Sequence, residues 1–246
     1  MYKYELHLST KDFAPKYSDA PSAEEVVENY LKAGYSGIVL TNPWGYQPFK
    51  RSDYIYKSPK QLTEEYLEGY YKLKNVAGKE LDVFLGAEVT FKHCTNEYLV
   101  YGLTPEKLAE FDLSGIYSLK KIPDIFARIH ALGDVLIYQA HPFMPYSRVV
   151  EEVYQLRPAV RPLEQRIDGM EVYIAMDEEK ANHFLTKKWA RDYNTPTISG
   201  SGYSSVGDRI AGGIATEEKI KDNSGLVKIL RNEEYKLISG GEIQNV

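Results

Sequence analysis

Short apolar runs and longer amphipathic stretches succeed one another along almost the whole chain, and this restricts the fold more than any single residue does. "YKYELHL" (2–8) alternates as a strand does. "SAEEVVENYLKAG" (22–34) follows as a helix: Ser22 is a cap, acidic residues fill the first turn, Val26, Val27, Tyr30 and Leu31 share a face, and Gly34 stops it. The pattern continues with strands at 37–41, 81–89, 97–103, 134–141, 169–175 and 195–202. Helices are predicted at 63–78, at 118–133 with an interruption at Pro123, at 178–193 and at 224–232. Near-continuous apolar strands between amphipathic helices imply parallel pairing with helices outside, in a closed barrel or an open doubly wound sheet. In either fold, chemistry belongs at the C-terminal ends of the strands.

Composition narrows the setting. A chain of 246 residues with 43% hydrophobic content can bury one large core, so one domain is expected over 1–246. Lys plus Arg number 30 against 35 Asp plus Glu, with the signs interspersed, so no basic stripe favours nucleic acid as an obligatory partner. Cys94 is the single cysteine and cannot form an internal disulfide, and no apolar run approaches membrane-spanning length; a cytoplasmic protein with no membrane partner is expected.

The strand ends carry His7, then Thr41-Asn42-Pro43, Glu88, Glu97, His141, Glu171 and Ser201-Gly202-Tyr203-Ser204. Imidazole nitrogen with carboxylate oxygen suits zinc, manganese or iron.

The phrasing of "ELHLST", "AGYSGIVLTNPW", "FLGAEVTF", "EYLVYGL", "YQAHPF", "GMEVYIA" and "ISGSGYSS…AGGI" resembles the PHP (polymerase and histidinol phosphatase) family of metal-dependent phosphoesterases, over residues 2 to about 214. The resemblance implies an α/β fold, a distorted (β/α)7 barrel of parallel strands with outer helices, holding up to three metal ions. The family's motifs are His-x-His, Thr-Asp-His, Gly-x-Glu, a ligand opening the fourth strand, His-Pro and Ser-Asp-x-His. Here His7 is kept but Ser9 replaces its partner; Asn42 and Pro43 stand for Asp and His; Gly202 and Ser204 replace the last Asp and His. Gly86-Ala87-Glu88 and His141-Pro142 are intact, and Glu97 matches the fourth-strand ligand position.

These departures imply a reduced site, with at most one divalent ion held by Glu88, Glu97 and His141 and with His7 as a further ligand or proton carrier. Glu88 and His7 are the candidate catalytic groups, and Arg148 and Arg209 the candidate ligands of a small phosphorylated or anionic substrate. Each residue also has a plainer reading. Without a partner at 9, His7 fits equally well as a rim histidine bonded to a neighbour; Glu97 fits a solvent-facing strand end; Glu171 fits a group that orients a ligand; each arginine fits a surface salt bridge. His93 and Cys94 are adjacent and point opposite ways in extended backbone, so they make no zinc pair. His130 and His183 lie within predicted helices, away from the strand ends. Two functions stay open: a metal-dependent phosphoester hydrolase with weak or specialised activity, and a non-catalytic PHP-like protein binding a small anion or a protein partner. A metal-free hydrolase using Glu88 and Glu171 as paired carboxylates is a third.

Overall fold

The computed structural model describes residues 1–12, 20–45, 57–91, 96–110, 122–144, 149–150, 153–154, 167–176 and 181–244. Arg148, His93 and Cys94 lie outside them.

Two six-stranded sheets form the frame. The first has the order β14-β13-β12-β1-β2-β4, where β1 is Tyr2–Leu8, β2 Gly37–Leu40, β4 Asp82–Leu85, β12 Gly213–Thr216, β13 Lys236–Ser239 and β14 Glu242–Ile243. The second has the order β11-β10-β7-β6-β5-β3, where β3 is Pro43–Gly45, β5 Ala87–Thr90, β6 Glu97–Tyr101, β7 Leu136–Gln139, β10 Gly169–Ile174 and β11 Thr197–Gly200. A separate pair joins β8 (Val149–Val150) and β9 (Val153–Tyr154).

Six helices are described: α1 (Ala23–Lys32), α2 (Pro59–Ala77), α3 (Pro105–Glu110), α4 (Ile122–His130), α5 (His183–Asp192) and α6 (Asn223–Asn232). In α1, Ser22 accepts from Glu25 N–H while the Glu25 carboxylate accepts from Ser22 N–H, a full capping box. Val26, Val27 and Tyr30 are its buried face. The start predicted for α2 was four residues late: Ser58 caps it with Gln61, and Pro59 occupies the first turn, where a missing N–H costs nothing. Pro123 sits near the start of α4 as described, and residues 118–121 of the predicted helix lie outside the described residues. Among the described residues no helix is long and apolar enough to cross a membrane.

The expected all-parallel barrel is corrected: the sheets are mixed, and their ladders do not close. The β1–β2, β2–β4, β3–β5, β7–β10 and β10–β11 pairs are parallel. The β1–β12, β12–β13, β13–β14, β5–β6 and β6–β7 pairs are antiparallel. Continuous apolar strands report coverage of both faces, and antiparallel β6, buried from Tyr98 to Tyr101, meets that condition as parallel β2 does. Six residues (91–96) connect β5 to β6, too few for a parallel crossover, which needs about a dozen. Strands β12 to β14 were not predicted; the Gly240-Gly241 pair, with φ of 67° and 86°, is the hairpin signal that marks β13–β14.

The two faces of the central strands belong to different cores. Tyr4, Leu6, Val39, Phe84, Leu99, Tyr101, Leu136, Tyr138, Ala140, Ile198 and Ile214 come from both sheets and form one cluster between them. Ile38, Leu40, Val83, Leu85, Ala87, Val89, Tyr98, Val100 and Ile137 face the other way and pack with α1, α2 and α4. Backbone hydrogen bonds among the described residues link the sheets at two places. Gly86 N–H donates to Leu40 and Glu88 N–H to Asn42, which carries the β2–β4 pairing on into β3–β5. Leu8 bridges Tyr203, with Ser9 N–H donating to the Tyr203 carbonyl at 2.8 Å.

Candidate functional site

Strand alternation places three carboxylates between the sheets. Glu88 lies between outward Ala87 and Val89; Glu97 precedes inward Leu99 and Tyr101 at two-residue steps; Glu171 lies between Met170 and Val172, which pack against Ala190 of α5. Glu171 is 1% exposed, whereas the side chains of Glu88 and Glu97 retain 12% and 17%.

The two histidines reach the same space irregularly. Tyr4 and Leu6 face inward, so strict alternation would turn His7 toward the helices. In the β1–β2 ladder, however, Glu5 pairs with Ile38 and Leu8 with Leu40, so Leu6 and His7 together oppose Val39. This β-bulge turns His7 inward and Leu8 outward. Inward Leu136, Tyr138 and Ala140 give His141 the outward parity too, but its φ is 27°, a left-handed value uncommon for a residue other than glycine, and its ring turns in.

The five side chains form one chain of contacts. His7 Nδ1 is 3.0 Å from Glu171 Oε1, and His7 Nε2 is 3.2 Å from Glu88 Oε1. His141 Nε2 stands 3.8 Å from the same Glu88 oxygen and 3.4 Å from Glu97 Oε2. The imidazole rings stack, with centroids 5.6 Å apart and planes inclined by 15°. Glu171 Oε2 also accepts the His141 backbone N–H at 2.9 Å, so this one carboxylate holds both histidines.

Electrostatics follow from the contacts. Burial would lower the pKa of His7, but Glu171, and after it Glu88, outweigh burial and hold it well above the ordinary histidine value. Burial would raise Glu88, but the imidazoles of His141 and His7 outweigh it and keep that carboxyl well below the usual range. The two directions describe one pair, imidazolium with carboxylate. Below it lies Glu5, fully buried, which accepts from Leu6, His7 and Ser201 N–H on one oxygen and from the Tyr30 hydroxyl on the other. Burial dominates these hydrogen bonds and raises Glu5 to about 7.

The donor set fits a divalent ion. Ligand atoms about 2.1 Å from a tetrahedral ion stand about 3.4 Å apart, close to the His141–Glu97 and His141–Glu88 spacings and long for direct hydrogen bonds. Glu88, Glu97 and His141 form one group whose donor atoms could share an ion; His7, His141 and Glu171 form another. His141 Nδ1 is buried without a hydrogen-bond partner, whereas both nitrogens of His7 face carboxylates.

The remaining expectations fall as follows. Glu97 opens toward the cluster. Arg209 Nη2 donates to the Gly240 carbonyl at 2.9 Å, in the turn between β13 and β14. His130 pairs with Asp168, and His183 Nε2 accepts from Ile174 N–H. Thr41 and Asn42 hold backbone: Thr41 Oγ1 accepts from Leu8 N–H, and Asn42 Oδ1 from Thr10 N–H. The Tyr203 hydroxyl accepts from Asn29 of α1, and Ser204 Oγ donates to Asp208. One imidazole fills the space between Glu88 and Glu171, which leaves no room there for a glycosidase-like pair to flank a substrate. Glu5 was missed, although an acid inside an alternating apolar strand is itself a signal of a satisfied buried carboxylate.

No family model and no curated protein matches the sequence. Solved structures share its fold. A two-domain protein from Bacteroides vulgatus containing a predicted PHP-like metal-dependent phosphoesterase aligns with a TM-score of 0.61 and 15% identity, over 97% of this chain and 65% of that one. PsfC from Pseudomonas syringae aligns with a TM-score of 0.58 and 15% identity, over 93% of this chain and 87% of that one. The chain thus spans 65% of the Bacteroides protein's length, and what these similarities establish is a PHP-like fold.

Proposed function

We propose that this chain is a PHP-like, metal-dependent phosphoester hydrolase with a reduced site, in which Glu88, Glu97 and His141 hold one divalent ion, zinc, manganese or iron, and His7 stands beside them as fourth ligand or proton carrier. The observation that carries the reading is the placement of His141 Nε2 at 3.4 Å from Glu97 and 3.8 Å from Glu88, the spacing of ligands around an ion.

When bound, the ion supplies Lewis acidity toward a phosphoryl oxygen and makes water a better nucleophile. The chain's own groups do the rest. A carboxylate only accepts, so Glu171 keeps a proton on His7 Nδ1, and Glu88 draws a second to Nε2, where it can pass to a departing alkoxide. Burial of His7 and His141 limits water around that proton. The substrate is a small phosphorylated or anionic molecule. One ion cannot clamp both attacking and leaving oxygens as a multinuclear site does, so turnover of generic phosphomonoesters is expected to be weak.

The test joins metal content with melting curves. Wild type should hold about one equivalent of zinc or manganese and melt higher with it, and His141→Ala should lose both effects. Equal shifts in the two proteins would remove the proposed ligand set. Hydrolysis of a chromogenic phosphate ester should be slow and abolished in Glu88→Gln; turnover at ordinary metallophosphatase rates would show a fuller site than proposed.

A further inference from the structure

The irregularity that points His7 into the cluster has its own support. The N–H groups of Leu6 and His7, the two residues of the bulge, both donate to Glu5 Oε1, at 3.0 and 2.8 Å. Ser201 N–H donates to the same oxygen at 2.8 Å from the end of β11, and the Tyr30 hydroxyl of α1 donates to Oε2 at 3.0 Å. The other groups at the bulge are held by side chains as well: the Leu6 carbonyl accepts from the Tyr101 hydroxyl, and Leu8 N–H donates to Thr41. Glu5 Oε1 thus accepts from both N–H groups at the bulge.

The surroundings bring strand and loop to this carboxylate. A Cβ on Gly200 would lie 2.6 Å from His7 Cβ, 2.5 Å from Glu171 Oε1 and 3.4 Å from Glu5 Oε1, so only glycine lets β11 approach. A Cβ on Gly212 would lie 2.0 Å from the Gly200 carbonyl oxygen. Ser201 Oγ accepts from Ala211 and Gly212 N–H, each at 3.0 Å, which fixes the backbone whose N–H meets Glu5.

We propose that Glu5 is a positioning residue: its carboxylate holds the β1 bulge, and through the bulge it turns the His7 imidazole away from the helices and between Glu88 and Glu171. Glu5 touches no proposed metal-ligating atom and acts through the backbone N–H of His7. The inference deepens the proposed function and rests on it where His7 is given a role in chemistry. The bulge itself needs neither ion nor substrate. Gln keeps one carbonyl oxygen for the three N–H donors, and the Tyr30 hydroxyl can rotate to accept from its amide, so shape matters here more than charge. Asp keeps the charge but withdraws it by one methylene.

The experiment is nitrogen-15 NMR of histidine side chains in the full-length, metal-stripped chain, with His7 signals assigned by their loss in His7→Gln. Wild type should show His7 protonated at Nδ1. Glu5→Gln should retain that signature, whereas Glu5→Leu and Glu5→Asp should lose it while His130 and His183 signals stay in place as internal controls of folding. Should Glu5→Leu fail to fold, the Gln and Asp variants carry the test. Retention of the His7 signature in Glu5→Asp, or its equal loss in Glu5→Gln, overturns the proposal. Metal binding is then measured on the same proteins. A wild type that binds no metal but shows this pattern removes the metal reading and leaves Glu5 in place; equal metal affinity in wild type and Glu5→Asp, with the signature unmoved, removes the role of Glu5 alone.

Discussion

The carboxylates and the histidines of the cluster arrive by different routes. Glu88 and Glu97 occupy the inward parity of regularly paired β5 and β6, and the ladder that builds those strands also aims them; Glu171 keeps the inward parity of β10, where the ladder with β11 shifts register just after it. His7 and His141 carry the outward parity and are turned inward, one by a bulge and the other by a left-handed backbone. Each is tied at its own N–H to a buried carboxylate, His7 to Glu5 and His141 to Glu171. Magnitudes explain why a charged acceptor is used at His141. A residue other than glycine in the left-handed region costs about 1–2 kcal/mol, and a hydrogen bond to a charged group returns about 1.5–3 kcal/mol. The positions of Glu88 and Glu97 are therefore properties of the sheet, and histidine positions are properties of a few hydrogen bonds. Irregular backbone held in this way is common beside functional sites.

The largest expected effect comes from removing the group that serves both histidines. Glu171→Leu strips the acceptor from His7 Nδ1 and from His141 N–H in an interior where the residue is 1% exposed. Loss of one partner from a buried charged pair costs about 3–5 kcal/mol, and urea denaturation of the metal-free protein should show a loss of that size. A change below about 1 kcal/mol would mean that the histidines keep their positions without this bracket.

A middle effect isolates the backbone of His141. At φ 27°, glycine escapes the steric penalty that alanine retains. His141→Gly should therefore be more stable than His141→Ala by about 1 kcal/mol, although both lose the imidazole. The reverse order would show that the left-handed turn is a preference of the surrounding chain and not a strain borne at this residue.

This contrast also explains what could be read from the sequence. The positions of Glu88 and Glu171 follow from apolar neighbours on both sides, and the inward face of Glu97 from Leu99 and Tyr101 at two-residue steps. The meeting of His7 and His141 follows from motif order, but their aim does not. A bulge changes the pairing of two residues with one, and nothing in "ELHLS" announces it except Glu5, an acid where an alternating strand has apolar neighbours. Strand direction was hidden for a different reason. Apolar runs record burial, and β6, antiparallel to both neighbours, is buried from Tyr98 to Tyr101.

The smallest expected change in stability falls on Glu97, and it separates a carboxylate that binds from one that builds. Its side chain is 17% exposed, and its contact with His141 Nε2, at 3.4 Å, is long for a hydrogen bond. Gln fills the same volume and can keep the same orientation along β6. Metal-free Glu97→Gln should therefore stay within about 0.5 kcal/mol of wild type in urea, because the amide keeps an acceptor oxygen and the side-chain volume. Its response to metal should differ sharply. An ion at 100 times its dissociation constant stabilises wild type by about 2.7 kcal/mol, and replacing one of three protein ligands with a neutral amide should remove most of that gain. If Glu97→Gln loses stability without metal but melts higher with zinc as wild type does, Glu97 belongs with Glu171 among the groups that build the site, and the ion, if bound, is held by other ligands.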